Sequence, residues 1–331
     1  MKVVKIDNFE VAGKIIDLDI TQWYIVLKFK ESVRLRESKT SLKSSEAVEV
    51  GIQVGPFLRW VGGKQNLVRE LSNLVKRAFL NQNSVYFEPF LGAGSLFFAI
   101  NPSKSVLSDA NEHLMHCYKI VKDSPKTLYR YLQDHKKKTS KTYYYKVRNA
   151  FNSEIKKRNS GQNEFTISQA ARFIYLNRTC FNGIFRVNEK GYFNVPYATK
   201  KDLLLPDFKE LANLSRRLKS AQLYTFSYEN ILNMVKPNDF VYLDPPYPPI
   251  KQSSNFNHYT QKRFDDVEHI NVGEFARILD ELGCKVLISN ADTPTVRKTY
   301  KKWNKIAFTI TRFVSCKSDR KRARELILTN F

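Results

Sequence analysis

Apolar positions change spacing several times along this chain, and each change marks a different element. In "KQNLVRELSNLVKRAFL" they fall at Leu67, Leu71, Leu74, Val75 and Leu80 (or Phe79), near one face of a helix. "SVYFEPFLGAGSLFFAI" then reads as strand, Gly-rich loop and helix. "KSVLSD" is a short strand ending in an acid, and "NEHLMHCYKIVK" returns to helical spacing. Strand and helix in alternation predict a parallel sheet. Residues 125–220 break the alternation. They read as helices around "SPKTLYRYLQDHKKK", "TYYYKVRNAFNS" and "TISQAARFIYLNR". A hairpin follows, "GIFRVNEKGYFNVPYA", turning at Glu189-Lys190-Gly191, and then a helix in "PDFKELANLSRRLKSA". The alternation resumes with strands "LYTFS" and "FVYLD", helix "DDVEHINVGEFARILDELG", strand "KVLISN" and helix "TPTVRKTYKKW". "KIAFTITRFV" and "RELILTNF" would pair as a terminal antiparallel hairpin.

Residues 1–36 alternate in places, in "VVKIDNFEV", "KIIDLDI" and "WYIVLKF", and read as three short strands. Residues 37–51 are polar and Ser-rich and read as a linker. The expected organisation is a small β-rich appendage over 1–50. An α/β domain with a mostly parallel, doubly wound sheet covers 56–124 and 221–331. A mainly helical domain is inserted over 125–220.

Composition narrows the class. No apolar run approaches the roughly 18 residues of a membrane span, and the first residues lack the apolar core of a signal peptide. A cytoplasmic protein is expected. Four separated cysteines, Cys117, Cys180, Cys284 and Cys316, and five histidines show no metal-ligand spacing, so no metal is expected. Lys plus Arg number 55 against 32 Asp plus Glu, a net charge of +23. That excess points to a polyanionic partner, unless it only solvates the surface. The 17 Tyr and 23 Phe would suit base stacking, although most of the Phe must be core. The basic run "KSDRKRAR", Lys317 to Arg324, lies between the last two strands, where it could touch a phosphate backbone.

Three stretches carry candidate chemistry. "FEPFLGAGS" places Gly92 and Gly94 after a strand and before a helix, where backbone can approach a ligand closely. Asp109 ends the next strand 17 residues after Gly92, the place of a ribose-binding acid in doubly wound sheets. Phe97 stands where a dinucleotide fingerprint needs its third Gly, which disfavours NAD. The Gly loop and Asp109 together argue for a nucleoside-bearing cofactor at the carboxyl edge of the sheet. In "FLRWVGGKQNLV", Gly62-Gly63 makes a turn and Lys64 opens a helix, and Trp60 and Lys64 could cover that cofactor. The third stretch is "FVYLDPPYPPI". Four apolar residues, Phe240 to Leu243, read as a buried strand that prolines must end. Alone, its Asp-Pro-Pro is an ordinary turn.

Together, "FLRWVGGK", "FEPFLGAGS", "LSDAN", "DPPY" and "LISNADT", in that order, resemble the class-α, Dam-like DNA adenine methyltransferases over about residues 56–331. The resemblance implies a methyltransferase fold, S-adenosylmethionine as methyl donor, and the inserted domain as target reader. By matching position it implies a cofactor site of Trp60, Gly62, Lys64, Glu88, Gly92, Gly94, Asp109 and Asp244, with Ser227 beside the adenine ring. It implies catalysis at Asp244, Pro245, Pro246 and Tyr247. The carboxylate and the Pro245 carbonyl would accept from the exocyclic amine of an adenine flipped out of duplex DNA, and Tyr247 would stack on the base.

The hairpin resembles the target-reading hairpin of GATC methylases at Asn182, Ile184, Arg186 and Pro196. Arg186, and Arg59 beside Trp60, would read guanines, unless Arg186 binds a phosphate instead. A cognate restriction endonuclease would then be a partner. An RNA adenine methylase and a non-catalytic DNA-binding protein on the same fold remain the alternatives.

Overall fold

The computed structural model describes residues 10–11, 14–15, 55–78, 83–161, 164–199, 203–247, 266–311 and 322–331. The chain divides into two compact units, Met1–Ile52 and Gln53–Phe331. In the first, β1 (Glu10–Val11) and β2 (Lys14–Ile15) pair antiparallel. The predicted strand in "WYIVLKF", the linker, Phe79 and Leu80, residues 248–265, and Lys317 to Lys321 lie outside the described residues.

The second unit is built on a seven-stranded sheet. Its strands are β3 (Tyr86–Glu88), β4 (Ser105–Asp109), β5 (Ala221–Thr225), β6 (Phe240–Leu243), β7 (Lys285–Ala291), β8 (Asn304–Thr311) and β9 (Arg322–Thr329). Their order is β5-β4-β3-β6-β7-β9-β8. The first five run parallel; β9 is antiparallel to both β7 and β8, as the terminal hairpin predicts. The reason lies in the strand sequences. β6 is apolar throughout and all four residues are buried, as a strand covered on both faces requires. Period two then sorts its side chains: Phe240 and Tyr242 enter one core, Val241 and Leu243 the other. β3 divides the same way between Tyr86 and Phe87.

On the first face lie α1 (Val68–Ala78), α2 (Ser95–Ile100) and α3 (Glu112–Asp123). Leu71 and Val75 of α1 are buried there, and Leu74 packs half-buried against them. On the second face, α8 (Asp266–Glu281) contributes Val272, Phe275, Ala276 and Leu279, and α9 (Pro294–Thr299) contributes Val296.

The helices between 125 and 220 are α4 (Pro125–Lys138), α5 (Lys141–Asn159), α6 (Ile167–Thr179) and α7 (Phe208–Leu218). Their starts follow capping chemistry. Ser140 and Thr166 accept N–H bonds from the first turns of α5 and α6, and Asp207 with Glu210 forms a reciprocal capping box on α7. They all fall within the single crossover from β4 to β5. Their apolar residues, such as Leu128, Phe151, Ile174 and Leu214, continue the core that holds Leu71, Phe97 and Leu114. The inserted stretch therefore shares the first face's core and is no separate compact unit.

One local expectation changes and another is refined. Lys64 does not open a helix: Leu67 N–H bonds back to the Lys64 carbonyl in a turn, and α1 begins only at Val68. The predicted hairpin, Gly183 to Ala198, is present but short. Val187 bridges Phe193 antiparallel, Asn188 N donates to the Tyr192 carbonyl and Asn194 N to the Arg186 carbonyl, and a second antiparallel bridge joins Cys180 with Tyr197. Its turn is set by Asn188, whose side chain accepts from the N–H groups of Lys190 and Tyr192. That local bond closes the tight turn at Glu189-Lys190-Gly191, while Asn188 N still donates across to the Tyr192 carbonyl.

Candidate active site at the sheet's carboxyl edge

Strand order reverses between β3 and β6. In open α/β sheets ligands bind in the crevice at such a switch point, beyond the carboxyl ends of the strands. The loop after β3 carries Gly92 and Gly94, and the turn after β6 carries Asp244 to Tyr247, so two of the quoted stretches meet at this one place.

The Gly loop is tied to the end of β4. Asp109 Oδ2 accepts from Gly92 N at 3.0 Å and Oδ1 accepts from Asn111 N at 2.9 Å. Loss of solvation raises the Asp109 carboxyl to about 6, although these two N–H groups pull it down. Tyr118 donates to the Gly92 carbonyl at 3.0 Å from behind. Gly92 has φ +47°, and a Cβ on it would lie 2.9 Å from Trp60 Cδ1. Only glycine lets Trp60 lie on this loop. α2, which follows at Ser95, is only six residues long.

Lys64 is buried, with 6% of its surface exposed. Its ammonium donates to the Gly62 carbonyl at 2.6 Å and to Asp244 Oδ2 at 2.7 Å, and it lies 2.6 Å from Asp244 Oδ1. It also stands 4.7 Å above the centre of the Tyr247 ring. The ammonium thus sits among the Asp-Pro-Pro-Tyr residues. Apart from the ammonium, no donor reaches Asp244 Oδ1 among the described residues. Burial raises the Asp244 carboxyl to about 6, against the lowering pull of Lys64.

Glu88, at the end of β3, is 2% exposed and accepts from Tyr86 OH at 2.7 Å. Burial raises it to about 8. Three carboxyl groups from β3, β4 and β6 therefore end at one edge. Ser95 Oγ is buried beside the Gly loop with no hydrogen-bond partner among the described residues. A sulfonium donor with a nucleoside fits this set. Ionised acids would favour its positive charge, Asp109 ends β4 where doubly wound sheets commonly carry a ribose-binding acid, and Ser95 Oγ has hydrogen-bonding capacity to give. Ser227 follows β5 and is exposed, with its hydroxyl donated to Glu229. β4 and β5 run in register from Ser105 with Ala221 to Asp109 with Thr225, so Ser227 stands beyond Asp109 along the same edge.

The DNA-reading candidates gather at the end of α6. Arg59 and Pro196 are exposed, and Asn182 is exposed with φ +54°. Phe181 N donates to the Pro196 carbonyl at 2.9 Å, joining the two sides of the loop. Ile184 is half-buried. Arg186 lies farther along; its Nε donates to Asn194 Oδ1 at 2.9 Å. Trp60 connects this cluster to the Gly loop at the sheet's carboxyl edge. Its ring stacks on Phe185 at 5.9 Å and 13° while its edge meets Gly92.

Sequence reasoning missed Asn177, Arg178 and Phe185. Arg178 donates twice to the Phe57 carbonyl, at 3.0 and 2.7 Å. The one signal for Asn177 was a polar residue inside the apolar run "FIYLN". Among the described residues no group of His, Cys, Asp and Glu is arranged to hold a metal ion, and no helix is long and apolar enough to cross a membrane.

Residues 60–313 match the family of D12 class N6 adenine-specific DNA methyltransferases. The Type II methyltransferase M.MjaIII of Methanocaldococcus jannaschii is 35% identical over 297 residues, which cover 85% of this chain and 100% of that protein. The Type II methyltransferase M1.LlaDCHI of Lactococcus lactis subsp. cremoris is 34% identical over 283 residues, 85% of this chain and 96% of that one. The DNA adenine methylase of Escherichia coli K12 is 32% identical over 275 residues, 82% and 93% of the two chains. Such a family implies S-adenosylmethionine as methyl donor and double-stranded DNA as substrate. Because the match runs from the turn at Trp60 to the last hairpin of the sheet, the chain belongs to the D12 class and is an adenine-specific DNA methyltransferase.

Proposed function

We propose that this enzyme methylates the exocyclic amine of an adenine flipped out of duplex DNA, within a short specific site, and that Asp244 is its central catalytic residue. The observation that carries this reading is Asp244 itself: a carboxylate fixed at the switch point by Lys64, with Oδ1 still able to accept. An adenine amine is a poor nucleophile because its lone pair is delocalised into the ring. Asp244 Oδ1 and the Pro245 carbonyl accept its two N–H groups, which turns the nitrogen toward a pyramidal shape and frees the lone pair. Pro245 and Pro246 fix the turn before substrate arrives, so positioning supplies most of the rate. Tyr247 stacks on the flipped base, which cannot react inside the helix. S-adenosylmethionine, when bound, supplies an electrophilic methyl group. Trp60, Gly62, Glu88, Gly92, Gly94, Asp109 and Ser227 hold it, with Lys64 reaching between that site and Asp244. Asp244 is also the base best placed to take the proton that the nitrogen loses.

Target reading falls to Arg59, Asn182, Ile184, Arg186 and Pro196, with the helices of 125–220 as their support. Arg186 fits a bidentate guanine contact, since Asn194 steadies its Nε. We take GATC as the target. A place in a restriction-modification system, with an endonuclease cutting the same site, is supported by the two relatives named Type II methyltransferases.

The test uses unmodified duplex DNA, labelled methyl donor and mapping of the methylated adenines. Asp244→Ala should lower transfer by about 10²–10³-fold, the usual loss of one preorganised transition-state contact, while DNA binding persists. A variant that methylates near the wild-type rate would sink the mechanism. Methyl groups spread over sites other than GATC would sink only the target assignment.

A further inference from the structure

We propose that Asn177 is a positioning residue for target reading: it locks the Arg59 segment to the loop 181–184 so that both meet DNA as one rigid element. The proposal rests on the reading above, in which Arg59 and this loop contact bases.

Asn177 sits in the last turn of α6 and is 2% exposed. Its Oδ1 accepts from Arg59 N at 2.9 Å, and its Nδ2 donates to the Arg59 carbonyl at 2.8 Å. One side-chain amide thus holds both backbone groups of a residue 118 positions away. The same Nδ2 donates to the Gly183 carbonyl at 3.0 Å. One acceptor and two donors, all directed at backbone, use the distinctive capacity of an amide. Asp has no donor, and Gln would overreach by a methylene.

The two clamped segments are also pressed together. Gly183 is buried with φ +66°, and a Cβ on it would lie 2.7 Å from both Cβ and Cδ of Arg59. Glycine is required on both counts. Arg178, the next residue of α6, holds the Phe57 carbonyl with two further bonds, so α6 grips this segment at two points. Beyond Arg59 the chain continues into Trp60, which bridges Phe185 and Gly92. A shift of the loop would therefore displace a base-reading arginine and the wall of the cofactor edge together. A merely structural asparagine would cost stability and activity on all DNA alike, whereas a positioning one changes where methyl groups are placed.

The experiment compares wild type, Asn177→Ala, Gly183→Ala and Arg59→Ala in the full chain. Each methylates unmethylated plasmid DNA with S-adenosylmethionine, and the methylated adenines are mapped. The readout is the ratio of methylation at the principal wild-type site to methylation at its single-base variants, with Tm measured in parallel. Asn177→Ala and Arg59→Ala should each lower that ratio about tenfold, within the range for one lost bidentate base contact. Gly183→Ala should do the same by steric separation, and it decides the matter if Asn177→Ala does not fold. If Arg59→Ala lowers the ratio but Asn177→Ala and Gly183→Ala keep it at the wild-type value, the positioning role is wrong, however far Tm falls. A wild-type ratio in Arg59→Ala would show instead that Arg59 is no reader, and the proposal would fall with that reading.

Discussion

Asp244 is asked to do two things that oppose each other electrostatically. In the proposed mechanism it must be ionised to accept from an amine, yet burial favours its neutral form and raises it to about 6. Lys64 opposes that shift from 2.7 Å away. The sign of the pH effect follows. Protonation removes acceptor capacity, so kcat/KM on DNA should fall as pH drops below about 6. Replacing Lys64 with Met removes the lowering influence, so the acidic limb of the profile should move to higher pH. A pH–rate series on both proteins checks this, and an unmoved limb would mean that another group controls it. Glu88 adds to the same balance. It is buried at the same edge and raised to about 8, so a cation arriving there favours its ionised form.

The Gly loop and the segment around Phe185 are coupled as elements because one side chain, Trp60, lies against both. The contact with Gly92 leaves no room for a methyl group, and the glycine also holds φ +47°. Gly92→Ala should therefore destabilise the fold by about 1–3 kcal/mol, the usual cost of a strained backbone position. It should weaken S-adenosylmethionine binding more than it weakens DNA binding. Calorimetric titration of the donor, beside thermal unfolding, separates the two effects. Equal weakening of both ligands would argue that Trp60 transmits nothing in particular. At this scale the hairpin from Gly183 to Ala198 is held by burial as well as by its short antiparallel pairing. Apolar residues at Phe185, Val187, Phe193 and Val195 are buried as a strand pair buries them, and the Asn188 side chain closes the turn between them.

At the scale of the whole molecule, charge and architecture serve the same partner. A net charge of +23 gives a field that attracts a polyanion before any base is read. Binding to duplex DNA should fall about a thousandfold from about 50 to about 200 mM salt if about six phosphates are neutralised. Arg186→Ala should leave that slope nearly unchanged if Arg186 reads a base, and should make it shallower by about one if it holds a phosphate. Fluorescence titrations across a salt series distinguish the two. The sheet itself is the other whole-molecule feature: its reversal between β3 and β6 is what brings residues 88–94 and 244–247 to one crevice.

Much of this was legible in the chain. The apolar run Phe240–Leu243 specified a strand buried on both faces, and Asp-Pro-Pro had to end it, because proline cannot donate to a ladder. The alternation of strand and helix specified the parallel sheet, and Gly92, Asp109 and Asp244 stood in order at strand ends. Those are local properties, set by neighbours a few residues away. What the tertiary structure decided involves partners far apart in sequence, whose pairing no periodicity encodes. It turned Lys64 onto Asp244, 180 positions on. It merged the helices of 125–220 into the core of the sheet's first face. It also made Asn177, unremarked among apolar neighbours, the clasp between Arg59 and Gly183. A buried polar group must find its partners, but only the folded chain says which ones come within reach.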